Sequence, residues 1–127
     1  MKLWLILGAL SGLMAVALGA FGAHGLQARA GPAELTAFET GARYQMYHAL
    51  ALIAVAWAAT QGGTTLTNLT IAIAGWAFVT GTILFCGSLY YLGLTGSRTL
   101  VMITPVGGLA FLAGWLSLAL AGWSLKG

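Results

Sequence analysis

The sequence predicts an all-α fold: a four-helix transmembrane bundle with a short amphipathic interfacial helix between helices 1 and 2. Three observations predict it. Only seven of 127 residues are charged, five basic and two acidic, or 6%, against about 25% in a soluble domain. Apolar residues make up 60% of the chain, and mean hydropathy is +0.94. Four apolar segments follow one another, at about residues 3–23, 44–60, 69–94 and 100–123. So little charge cannot cover a water-facing surface, which excludes an ordinary soluble domain. The high hydrophobicity excludes a disordered chain. The net charge of +3 comes without a basic cluster that could track phosphates, so nucleic acid is not an expected partner. One integral membrane domain over residues 1–127 remains.

The first segment carries no charge after Lys2. It is longer than the 7–15 residues of a signal-peptide core, so a retained span is expected. A hydrocarbon core of about 30 Å takes about 20 residues of helix; segments 1, 3 and 4 suffice and segment 2 is short. Backbone groups in lipid must bond to one another, which selects helices, and the alternation of a β-barrel is absent. Between segments 1 and 2, Gly31-Pro32 is a helix start, and Leu35, Phe38, Ala42 and Met46 recur at helical spacing. An interfacial helix at about 32–42, bending near Gly41 into helix 2, fits this pattern; so does one long tilted helix from 33 to 60. The remaining links, 61–68 and 95–99, are short and predict antiparallel neighbours.

Lipid tails are as apolar as Leu, so close packing through small residues must hold the helices together. Gly8, Gly12 and Gly19 lie on helix 1, Gly81 on helix 3, and Gly107 and Gly114 on helix 4. These are the expected packing positions, within the chain or against a partner. The five Trp, mostly near segment ends, suit an aromatic belt.

Threading four spans from Met1 brings Lys2, the 61–68 link and Lys126 to one side. His24, Gln27, Arg29, Glu34, Glu39, Arg43, Gln45, His48, Tyr90, Tyr91, Arg98 and Thr104 fall on the other. The candidate polar site is on that second side. Arg43-Tyr44-Gln45-Met46-Tyr47-His48 is its densest run, with Tyr44 and His48 one turn apart. Ionisable groups at such depth usually face the bundle interior. His48 reads either as a proton acceptor or ligand group or as a neutral imidazole bonded to a neighbouring helix. His24 and His48 could together hold haem or a metal, but no third ligand accompanies them, so no metal and no cofactor are expected. The lone Cys86 reads as a buried thiol. No catalytic triad can be assembled.

Four stretches carry a resemblance: residues 18–25 LGAFGAHG, 38–50 FETGARYQMYHAL, 84–92 LFCGSLYYL and 104–115 TPVGGLAFLAGW. Together, in this order, they resemble the domain of unknown function 423 family, the YgdD/YwdK-like small membrane proteins related to transmembrane protein 256. The resemblance implies a four-helix bacterial inner-membrane protein with both termini in the cytoplasm, and no established activity. Its motif positions map onto His24, Arg43, Tyr44, Gln45, His48, Ser88, Tyr90, Thr104 and Pro105. The function expected is that of a non-catalytic accessory subunit or a lipid- or protein-binding membrane component. Its expected partners are membrane lipids and a larger membrane complex or further copies of the chain. The alternative is an oligomeric transporter or channel for ions or small molecules, using the polar face around His48.

Overall fold

The computed structural model describes residues 1–125, which are all-helical and contain no strand. Four helices follow one another. α1 is Lys2–His24, followed by a 3₁₀ turn at Leu26–Ala28. α2 is Pro32–Ala58, α3 runs Thr65–Thr95, and α4 is Ile103–Ser124. Lys126, expected to flank the last span, lies outside the described residues. α1 with its 3₁₀ turn, α3 and α4 are long and apolar enough to cross a membrane.

Local chemistry sets the ends. Gly31 is extended at the N-cap of α2, Pro32 fills the first turn, where no N–H is needed, and Glu34 faces the positive end of the helix dipole. Thr64 and Thr67 cap α3 reciprocally, each side chain accepting the other's backbone N–H. α3 stops where Gly96 turns left-handed at φ 71°, a conformation that glycine adopts without strain.

The separate interfacial helix is not formed. Residues 32–42 are the first turns of α2, which continues without a break through Gly41 to Ala58. The reason is packing: Phe38, Gly41 and Ala42 are as buried as the inward-facing residues nearer the middle of the helix, so these turns lie against protein. Helix 2 therefore begins some twelve residues before the expected 44, α3 begins at Thr65 rather than 69, and α4 begins at Ile103 rather than 100.

α3 also changes register in its middle. Thr82–Cys86 is a π-helical segment between α-helical Thr65–Gly81 and Gly87–Thr95. There the N–H of Gly87 is shared among the carbonyls of Thr82, Ile83 and Leu84. A π turn adds a residue to the helix and rotates its C-terminal half relative to its N-terminal half. The two halves of α3 accordingly pack on different neighbours. Thr65–Gly81 lies on α4, whereas Gly87–Thr95 lies on α2. α1 packs on α2.

α2 thus sits inside. It buries Gln45, His48, Ala49, Leu52 and Val55 among others, while α1 and α4 expose rows of leucines such as Leu10, Leu13, Leu109, Leu112 and Leu116. The core combines Leu52, Val55, Ile71, Phe78 and Phe111 with Trp4, which lies over Gly75 and meets Trp76 edge-on at 5.1 Å. Close approaches replace long side chains at the contacts. A β-carbon on Gly8 would stand 3.0 Å from the Ala49 carbonyl, and one on Gly114 would enter the ring of Phe78. A β-carbon on Gly107 would strike the backbone of Phe85 in the π segment, and one on Gly81 the ring of Phe111. These expected packing glycines meet neighbours within the chain. Gly12 and Gly19 make ordinary contacts with Ala49 and Ala42.

Candidate functional site

Three polar clusters form within the apolar interior. The first centres on Gln45. Its Nε2 donates to Ser11 Oγ and to Met14 Sδ on α1, each at 3.2 Å, and its Oε1 accepts from Tyr90 Oη on α3 at 2.5 Å. One side chain of α2 therefore ties both flanking helices. Tyr90 reaches it across Gly41, where a β-carbon would stand 3.0 Å from the tyrosine ring.

The second centres on His48. Its Nδ1 lies 2.7 Å from the Tyr44 carbonyl, and its Nε2 lies 3.1 Å from Trp115 Nε1 on α4. An indole nitrogen only donates, so Nε2 accepts, and the proton sits on Nδ1, where it serves the carbonyl. The ring is a neutral imidazole with both nitrogens engaged. It stacks on Phe111 at 3.5 Å and 7° between planes, and Phe78 packs 5.6 Å away.

The third joins Ser88 of α3 to Thr104 of α4, Oγ to Oγ1 at 2.5 Å, with Ser88 also donating to the Phe85 carbonyl at 2.9 Å. The π segment is what turns Ser88 toward α4 and Tyr90 toward α2.

Of the expected site residues, Gln45 and Tyr90 meet in one cluster, Tyr44 and His48 in another, Ser88 and Thr104 in the third. His24 and Arg43 are exposed and join none of them. The reason is their placement: His24 is the last residue of α1, and Arg43 faces outward on α2. Sequence reasoning missed Ser11, Met14 and Trp115 as polar partners. Ser11 lies in a small-residue stripe and Trp115 among belt-like tryptophans, and neither pattern signals a hydrogen bond. Two Trp depart from the belt altogether: Trp4 is core, and Trp115 serves His48.

The openings beside these clusters are shallow. A groove of about 260 Å³ between α1, α2 and α3 is floored by Gln45 and Leu52. A second, of about 370 Å³, runs along Tyr44, His48, Phe85, Phe111 and Trp115. A third, of about 270 Å³, lies at one end of the bundle between Arg29, Glu34 and Thr95. Among the described residues no three His, Cys, Asp or Glu side chains gather where they could hold a metal ion.

Comparison with known proteins adds a lineage to this geometry. Residues 18–108 match the family model described as Protein of unknown function (DUF423). A UPF0382 membrane protein of Staphylococcus aureus is 46% identical over 127 residues, all of both chains. One of Staphylococcus haemolyticus is equally similar over the same span. The UPF0382 membrane protein YwdK of Bacillus subtilis is 44% identical over 122 residues, 95% of this chain and 96% of its own. No solved structure matches. The matched region runs from the end of α1 to the start of α4 and contains Gln45, His48, Ser88, Tyr90 and Thr104, so the chain belongs to the DUF423 family of membrane proteins, whose function is unknown.

Proposed function

We propose that the chain is a four-span protein of the bacterial inner membrane that acts by binding, as a non-catalytic accessory component, with both termini in the cytoplasm. In this reading α2 is the fourth span, packed against α1 and the second half of α3. An even number of spans returns the chain to its starting side.

One observation carries the reading: the polar groups of the Gln45 and His48 clusters are spent on one another. The ring nitrogens of His48 are both engaged, and so are the amide of Gln45 and the hydroxyl of Tyr90. A general base or a transport site needs a group with spare capacity facing a substrate. Here the chemistry-bearing residues join helix to helix, which leaves the lipid-facing sides of the bundle to carry function. The transporter reading draws on one feature, the buried polar set of Gln45, His48 and Ser88. The rings of Phe85 and Phe111, 5.4 Å apart beside it, weigh against a continuous path.

Purified protein in liposomes tests the choice. The vesicles are expected to hold proton and potassium gradients as well as protein-free ones. A flux that rises with protein content would overturn the binding reading in favour of transport.

A further inference from the structure

α2 leaves one face uncovered. Glu39, Arg43, Tyr47, Leu50, Ala54 and Trp57 recur at helical spacing, and all six are exposed. Arg43 forms no ion pair and no side-chain hydrogen bond among the described residues, although Glu39 stands one turn away. The hydroxyl of Tyr47 has no partner there either.

The contacts of α1 fix the depth of this face. Gly12, at the middle of Lys2–His24, lies against Ala49. With α1 centred in the bilayer, the midplane passes α2 beside Ala49. At about 1.5 Å per residue, Tyr47 stands about 2 Å from the midplane and Arg43 about 8 Å, on the side of the 95–99 link. The hydrocarbon edge is about 15 Å from the midplane, and lipid phosphates lie beyond it. An extended arginine arm of about 7 Å, from bonds of about 1.5 Å, brings Arg43 just to that edge, and Tyr47 stays well short of it.

A charge inside a span almost always faces the bundle interior and pairs, and tyrosines of spans collect at the interface. The exposed face of α2 breaks both habits one turn apart. Arg43 and Tyr47 both donate, so whatever covers them carries acceptors, and the unpaired positive charge selects a carboxylate. Lipid offers none at this depth. A second copy of the chain offers none either. Its only acids are Glu34 and Glu39, both nearer the interface, and in the same orientation it would set Arg43 against Arg43.

We infer that this face of α2 docks a span of another membrane protein, one with an Asp or Glu about 8 Å from the midplane, whose carboxylate accepts from Arg43 and Tyr47. This names the partner for the binding reading, and it rests on that reading and on α2 as a span.

Site-directed photo-cross-linking in the native cells tests it. Benzoylphenylalanine replaces Leu50 on this face or, as a control, Leu116 on α4; both are 62% exposed. The Leu50 variant is expected to join another membrane protein at a span with an Asp or Glu within one turn of the cross-link, and the Leu116 variant is not. Arg43→Gln is expected to lower the yield of that adduct at least about tenfold, with thermal unfolding in detergent unchanged. Arg43→Glu, combined with an Arg in place of the partner's acid, is expected to restore it. The docking face is overturned by adducts to lipid alone or to a second copy, by no adduct, by an adduct indifferent to Arg43→Gln, or by failure of the charge exchange. Ion flux through the purified protein in liposomes would instead sink the binding reading. Labelling of Leu50→Cys by a membrane-impermeant maleimide, in a Cys86→Ala background, would sink α2 as a span.

Discussion

Gln45 shows how much one side chain can organise in a bilayer. Its oxygen and both amide hydrogens reach three side chains on two other helices. Removing one partner leaves the rest unsatisfied, which costs more than the net worth of the bond. Tyr90→Phe is therefore expected to lower stability by about 1 kcal/mol, read as an earlier midpoint in an unfolding titration with denaturing detergent. An unchanged midpoint would mean that the Tyr90 bond carries no weight. At this scale the sequence was half legible. A Gln, a His and a Tyr deep in apolar segments must turn inward, so Gln45, His48 and Tyr90 could be picked out by cost alone. Their partners could not. A serine four residues from the next small residue reads as packing, and one tryptophan among five reads as part of a belt, whatever either bonds to. Arg43 misled for a related reason. It sits in the densest polar run, but the helix turns by about 100° per residue, and its face is not the face of Gln45.

Helix existence was legible because unbroken apolar length has few explanations in lipid. The π segment was not, because Thr-Ile-Leu-Phe-Cys reads like any other stretch of span. What makes it visible is its neighbour: Gly107 of α4 allows the backbone of Phe85 to approach so closely that no β-carbon fits. Gly107→Ala is thus expected to cost about 2 kcal/mol or more through forced displacement, whereas Gly12→Ala, whose new carbon would stand 3.8 Å from Ala49, is expected to stay within about 0.5 kcal/mol. Thermal unfolding of the two variants in detergent checks the contrast, and equal losses would show that α4 is not seated on the π segment. The interfacial helix failed as an expectation for a similar reason. Glu34, Glu39 and Arg43 made the first turns of α2 look surface-bound, but Phe38 and Gly41, on the face away from Glu39 and Arg43, fix them to α3.

At the scale of the molecule, few charges identify the solvent, and the helix that carries three of the seven buries the largest share of its residues. α2 holds Glu34, Glu39 and Arg43 and is the one helix not apolar enough to be recognised as a span by itself. If it spans, the loops after α2 and after α3 lie on opposite sides of the membrane. Single cysteines at Gly62 and Ser97, each in a Cys86→Ala background, are expected to be labelled by an impermeant maleimide from opposite faces of the membrane. The cytoplasmic placement of the termini requires that Ser97, not Gly62, react in intact spheroplasts. Labelling of both from one side would remove α2 as a span.

The position of α2 has a consequence for biosynthesis. A helix with a Gln, a His and an Arg near its middle partitions poorly from an insertion channel into lipid by itself. When α2 leaves the ribosome, α3 and α4 do not yet exist, so its only available shelter is α1. Ser11 and Met14, the two acceptors for the Gln45 amide, are both on α1, while Tyr90 and Trp115 arrive later in the chain. If α2 spans, the order of synthesis matches the order in which its polar groups find company: the Gln45 bonds to α1 can form first, and those to Tyr90 and Trp115 follow.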